Sequence, residues 1–292
     1  MRIKLSIAAA AAILFFANCN EPSTTSDTHT ATNTNTEVVS DVKPIELACH
    51  YLTGKDSIKK VKSTYGQHLD ILMAINRTDS NNIEKMDTLL IPNNLSGTVN
   101  QYSPFPQTIP YGNVKKIILF SYPAQYFAAY ENGRMVRSGQ TNMGREKDPT
   151  PTGLFFTNWK AEETKSTFND EWDLKWNFNI ENKLGVGFHE YALPGYPASH
   201  SCLRLTQDDA KFLYTFAEEW KLKDKDEVRA KGTPVLVFGS YPFGSRKPWL
   251  QLAQNPHATD ISPASIKQMI DEKLNDIMAA QATRDSLDKK SA

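Results

Sequence analysis

Cysteine is scarce in this chain. Its 292 residues hold only Cys19, Cys49 and Cys202, with no C-x-x-C pair and no Cys/His grid of zinc spacing. A disulfide-stapled scaffold and a structural zinc site are therefore both excluded. An excess of either charge is also missing: 33 Lys and Arg balance 33 Asp and Glu. That removes the basic footprint a nucleic-acid partner requires. Long apolar runs are lacking too. The run from Leu5 to Phe16 follows Arg2 and Lys4 and is too short to span a bilayer comfortably, so it reads as an export signal and not as mature protein.

What is present is concentrated between Val186 and Leu205. A strand end, Val186-Gly187-Phe188, leads to His189. A turn rich in Pro and Gly follows, and then Ser199, His200, Ser201, Cys202, Leu203 and Arg204. A thiol, two imidazoles and a guanidinium this close are what thiol acyl transfer needs: a nucleophile, a base for its proton and a cation for a substrate carboxylate. The plainer alternative makes Cys202 a small buried hydrophobe. A lesser one makes His189, His200 and Cys202 metal ligands.

This stretch resembles the hallmark of the L,D-transpeptidase (YkuD-type) family, in which a histidine precedes Ser/Thr-His-Gly-Cys-hydrophobic-Arg/Asn. Two departures stand out. Ser201 occupies the usual glycine position, which is tolerable where φ stays negative. The step from His189 to Cys202 is only 13 residues, with turn formers Pro194, Gly195 and Pro197 closing it. The resemblance implies Cys202 as nucleophile and His189 as base, oriented by the carbonyl of Glu190 or, alternatively, its side chain. It also implies backbone N–H groups of Ser201 and Cys202 around the oxyanion. Arg204, His200, Ser199 and Tyr191 are expected to bind substrate or hold the loop. No cofactor and no metal are implied. The donor would be a peptidoglycan stem peptide, and the product a 3→3 cross-link or a protein attached to the wall. The alternatives are an L,D-carboxypeptidase or amidase-type hydrolase using the same thiol, and a non-catalytic peptidoglycan-binding lipoprotein.

At the N-terminus, Phe16-Ala17-Asn18-Cys19 resembles a bacterial lipobox. That implies residues 1–18 as a cleaved signal, a lipid on Cys19, and an envelope protein held in the periplasm by the outer membrane. Residues 19–45 are Ser/Thr/Asn-rich and read as a disordered tether. With Cys19 lipidated, Cys49 is left as a free, buried thiol. Residues 46–97 read as strand, helix, helix, strand, with a cap at Asp56 and a closing strand Thr88–Pro92. The order and the run Y-G-Q-H-L-D-I-L-M-A-I-N resemble a LysM module, which implies glycan strands as a partner. Gly54–Ser57 and Thr78–Asn82 match that family's sugar-contacting loops by position.

Residues 98–113 form a connector. The catalytic domain, 114–240, is expected to be mainly β: a sandwich with one helix, beginning with strands at Lys116–Phe120, Gln125–Tyr130 and Arg134–Ser138, with Glu131-Asn132-Gly133 as a hairpin turn. Gly144 and Thr150-Pro151-Thr152-Gly153 fit a turn segment the family carries. Between Trp159 and Asn182 aromatics crowd among charges, and Trp176, Asn177 and Phe178 are the candidates for a wall over the groove. Thr206 to Trp220 reads as a capped amphipathic helix, Lys221–Lys231 as a solvated loop and Thr233–Phe238 as the last strand. The remainder, 241–292, is a helical tail with one amphipathic helix from Ser262 through Met278.

Overall fold

The run Lys116-Ile117-Ile118-Leu119-Phe120 shows none of the polar alternation of a half-buried strand, and the architecture explains why. In the computed structural model, which describes residues 45, 47–165, 173–225 and 227–291, this run is β3 (Lys116–Ser121), the centre of a five-stranded sheet. Its neighbours are β4 (Tyr126–Glu131) and β5 (Arg134–Gln140) on one side, and β13 (Pro234–Phe238) and β6 (Gly153–Phe156) on the other, in the order β5-β4-β3-β13-β6. Both faces of this sheet are covered, so both sets of side chains must be apolar. The hairpin at Asn132-Gly133 has positive φ at both residues, 49° and 76°, the turn whose twist suits antiparallel strands.

The inner face packs on a second sheet. Its strands β7 (Lys160–Lys165), β8 (Asp173–Glu181), β9 (Val186–Glu190) and β10 (Leu203–Leu205) lie in the order β10-β9-β8-β7. Ile118, Phe120 and Phe127 from one sheet meet Phe178, Phe188, Leu203 and Leu205 from the other, with Ala210 and Leu213 of helix α4 (Gln207–Phe216) closing the side. The expected mainly β sandwich with a helix is therefore the fold.

Several expectations need correction. In the aromatic segment after Trp159, the described parts on either side of residues 166–172 form the β7–β8 strand pair; Phe168 and Trp172 lie outside the described residues. The charged stretch after Trp220 contains a small antiparallel ribbon, β11 (Lys221–Leu222) with β12 (Val228–Ala230). The apolar stripe of the tail is carried by two helices, α5 (Pro263–Asp271) and α6 (Leu274–Ser291). Ser262 caps the first by accepting the Ser265 N–H at 3.1 Å, with Pro263 at its first turn. Ile266, Ile270 and Ile277 cover the outer face of the five-stranded sheet. The connector is no loose linker either, since Tyr102, Phe105, Ile109 and Tyr111 are buried. Cys19, the signal and the tether to residue 44 lie outside the described residues.

The N-terminal module runs β1 (Cys49–Thr53), α1 (Lys55–Ile58), α2 (Val61–Tyr65), α3 (Leu69–Asn76) and β2 (Thr88–Pro92), with the two strands antiparallel and the first of the two expected helices split into α1 and α2. Gly54, at φ 91°, takes the N-cap position expected of Asp56, which lies in the first turn. Asn76 locks α3 to β2: its side chain donates to the carbonyls of Leu72 and Leu90 and accepts the Leu90 N–H at 2.8 Å. Cys49 is free and buried, and burial raises its thiol to about 12. Among the described residues, no helix is long and apolar enough to cross a membrane.

Candidate active site

Strands β9 and β10 run parallel, with Phe188 beside Leu203 and Arg204 beside His189. Phe188 and Leu203 point into the core. Strand alternation then puts His189 and Arg204 on the opposite face, and Cys202 immediately precedes β10. An imidazole and a guanidinium thus share one side of two neighbouring strands, the thiol one residue before the second strand feels the Arg204 charge, and no bridge to Cys49 occupies it.

His189 is 3% exposed. Its Nδ1 lies 2.9 Å from the carbonyl oxygen of Glu190. A carbonyl can only accept, so Nδ1 carries the proton and Nε2 keeps a lone pair. Burial, reinforced by the charge of Arg204, lowers this imidazole to about 4 against the pull of the Glu190 hydrogen bond. Of the two orienters expected, the carbonyl is the one in place. Alternation sends the Glu190 carboxylate to the other face, where Oε2 is buried without a hydrogen-bond partner.

Cys202 is partly exposed, but its sulfur is desolvated, which raises the thiol above its ordinary value. The Gly187 N–H and the Arg204 charge act the other way. The sulfur lies 3.8 Å from the Gly185 carbonyl oxygen. Gly187 has no room for a side chain: a Cβ there would sit 2.5 Å from the Phe178 carbonyl oxygen. Arg204 stacks over Tyr191, 4.5 Å from the ring centroid, and the Tyr191 ring in turn meets His189 edge-on at 6.1 Å.

A second segment braces the turn that carries Cys202. Residues 141–145 run beside 199–204, exchanging backbone hydrogen bonds between Asn142 and Arg204 and between Met143, Arg145 and Ser199. Thr150 Oγ1 donates to the Ser201 carbonyl at 2.8 Å and accepts the Gly144 N–H at 2.8 Å. A Cβ at Gly144 would meet the Asp148 carbonyl oxygen at 2.3 Å, so only glycine lets this loop close. Ser199 is buried and its hydroxyl donates to the Cys202 carbonyl at 2.5 Å; it holds the turn and is not open to substrate. His200 faces the same brace, with Nδ1 3.2 Å from Arg145 and 3.6 Å from Asp148, while Arg145 pairs with Asp148 at 2.5 Å. Arg145, Asp148 and Asn142 escape a reading of the sequence because they work through loop geometry; Gly144 and Thr150 are the visible signal.

Ser201 departs from expectation. Its φ is 77°, in the left-handed region, where a non-glycine residue costs about 1–2 kcal/mol. The Ser201 carbonyl is held by Thr150. In a trans peptide the next N–H points the other way, so the Cys202 N–H is directed away from that brace.

The aromatic wall is corrected in part. Lys175 pairs with Glu190 and Phe178 with Phe188, leaving Trp176 and Asn177 opposite the single residue His189. This is a β-bulge, a device that re-aims side chains beside sites. Trp176, at φ 55°, turns onto α4, edge-on to Tyr214 at 5.4 Å and under Lys211. Phe178 is fully buried against Phe188 and belongs to the core, not the groove. Asn177, buried, is the member of the trio that stands across from His189. Among the described residues, no group of three or more His, Cys, Asp or Glu is placed to hold a metal.

The site joins a neutral histidine on β9 to a thiol at the entry of the parallel strand β10. Residues 115–237 match the model of the YkuD family, the L,D-transpeptidase catalytic domain. Among solved structures, an L,D-transpeptidase from Stackebrandtia nassauensis is similar at 19% identity and a TM-score of 0.38, over 64% of this chain and 78% of that one. One from Mycobacterium smegmatis is similar at 20% identity and a TM-score of 0.34, over 43% of this chain and 59% of that one. One from Mycobacterium tuberculosis H37Rv is similar at 20% and 0.33, over 43% and 58%. The chain thus spans under two thirds of the two mycobacterial proteins. No curated protein matches the sequence.

Proposed function

We propose that this chain is a cysteine-dependent L,D-transpeptidase acting on peptidoglycan stem peptides. The observation that carries the reading is the His189 ring: its Nδ1–H is tied to the Glu190 carbonyl, which leaves Nε2 with its lone pair, on the strand that pairs with the one following Cys202. In the first step Nε2 takes the thiol proton and the sulfur attacks a peptide carbonyl. The Cys202 N–H supports the oxyanion, a contribution of about 2.7–4 kcal/mol where single donors have been removed from hydrolases. Collapse expels the amine of the following residue, which takes the proton from His189, and leaves a thioester. An acceptor amine then attacks the thioester, forming an amide and returning the thiol.

Arg204 offers a cation for a substrate carboxylate. The charge balance of the chain, the lipobox-like Cys19 and the LysM-like module all suit a protein held at the envelope near its polymeric substrate. Tethering would raise the local concentration of stems at the thiol.

The test is product analysis on purified sacculi with mass spectrometry of muropeptides. New cross-linked dimers are expected; shortened stems alone would mean a hydrolase with the same thiol. A carbapenem should add its mass to the protein but not to Cys202→Ala. Absence of that adduct on folded wild-type protein would reduce the domain to a wall-binding module.

A further inference from the structure

The loop after α3, matched by position to a sugar-contacting loop, is engaged by protein. Thr78 forms an antiparallel bridge with Pro194, and its Oγ1 donates to the Leu193 carbonyl at 2.9 Å. The Asp79 N–H donates to the same carbonyl at 3.2 Å, and Asp79 Oδ2 accepts the Leu193 N–H at 2.6 Å. Asp79 is held in turn, because its Oδ1 accepts the N–H groups of Asn81 and Asn82. From the sheet, Gln140 donates to the Thr78 carbonyl at 3.0 Å. Leu193 and Pro194 belong to the short connection between His189 and Cys202. Its far end is held by Asn142, which donates to the Tyr196 carbonyl and accepts the Ala198 N–H at 3.2 Å.

We propose that Thr78 and Asp79 are positioning residues for the nucleophile: the N-terminal module clamps the His189–Cys202 connection and sets where the thiol sits. The proposal rests on the reading of Cys202 as the acylated residue. The connection is short and carries strain at Ser201, so its shape is not secured by its own backbone preferences. Two charge-assisted or buried hydrogen bonds at Leu193 supply an external anchor on the His189 side of the turn. A misplacement of about 1 Å at a reacting atom lowers rates by about a hundredfold.

The experiment uses the full chain and three variants, Thr78→Val, Thr78→Ser and Asp79→Ala. Acylation of Cys202 by a carbapenem is followed by mass spectrometry, with the rate constant separated from the binding constant. Amide hydrogen exchange is followed over residues 190–202. Thr78→Val and Asp79→Ala should acylate about tenfold to a hundredfold more slowly, with binding constants within about twofold of wild type. Thr78→Ser, which keeps the donor, should restore the rate. Exchange should quicken over residues 190–202 and stay unchanged in β3 and β4. Unchanged acylation and exchange in both variants would overturn the clamp. So would normal acylation combined with lost pelleting on sacculi, which would return the loop to sugar binding. If wild type itself takes no adduct, the enzyme reading fails on its own, and the exchange arm still decides whether the module holds the turn.

Discussion

At the scale of single residues, the site rests with both reacting groups neutral. Burial keeps His189 deprotonated down to about pH 4 and holds the Cys202 thiol protonated beyond its ordinary range. In the proposed reaction the thiolate is therefore made only as the proton moves to Nε2, with substrate present. Alkylation of the free protein by iodoacetamide should be slow between pH 6 and 8 and climb only above about pH 9. A plateau reached by pH 7 would mean a resting thiolate–imidazolium pair and would sink this account. The depressed His189 value also has a sign for stability. Protonation favours the unfolded chain, so the contribution is complete above about pH 6.5 and is lost as pH falls through about 4, up to about 3 kcal/mol. Denaturant titrations at pH 7 and pH 4 on wild type and His189→Gln would isolate it, since the variant should lose less. Ser201 gives a second prediction. Its φ of 77° suits glycine, and its hydroxyl makes only a long contact of 3.3 Å to the Asp148 carbonyl. Ser201→Gly should stabilise by about 1 kcal/mol and raise Tm by about 2–4 °C. A drop in Tm would show that the hydroxyl matters more than the backbone.

At the scale of elements, the parts legible in the sequence were those with short-range causes. The run K-I-I-L-F, the E-N-G turn and the Ser262-Pro263 cap each carry their structure in neighbouring residues, and so does the cluster from His189 to Arg204. The errors came where a distant partner decides. Phe178 looked available for a groove wall because nothing local shows Phe188 against it. Strand β10 is three residues long and exists only through distant partners, β9 on one side and Asn142 on the other. The positive φ at Ser201 follows from the brace by Thr150, more than fifty positions away in the chain. The tail's apolar stripe was visible, but the surface it covers was not, since the outer face of β3 and β4 lies far upstream. That packing sets an expectation for α5. Ile270 is fully buried on the sheet, so Ile270→Ala should destabilise by about 2–4 kcal/mol, read from urea denaturation. A loss under about 1 kcal/mol would mean that the helix docks loosely and that the outer face is held by the connector alone.

At the scale of the whole molecule, the described chain from the module to the tail shares its interior. Arg77 closes α3 in the left-handed region at φ 58° and is fully buried with no carboxylate beside it among its contacts. Its guanidinium donates to the carbonyl of Ala124, between β3 and β4, at 2.7 Å, and to Ala74 and Ile75 of its own helix. It lies 4.5 Å from the Tyr126 ring centroid and 5.6 Å from that of Trp249. Trp249 comes from the tail and packs with Ile71, Ile75 and Leu90 of the module. One side chain thus touches the module, the central sheet and the tail. A buried cation satisfied by carbonyls and ring faces has a large penalty when its contacts are removed, because those carbonyls are then left without donors. Module and sandwich should therefore unfold together, despite reading as two domains in the sequence. Calorimetry is expected to give a single transition, at the same temperature at which the fluorescence of the five tryptophans and the far-UV signal of the sheets change. Arg77→Met, which keeps much of the volume but none of the donors, should lower that one transition by several degrees without splitting it. Two resolved transitions in wild type, with the module melting first, would refute the shared interior and would also remove the basis for a module that holds the nucleophile turn.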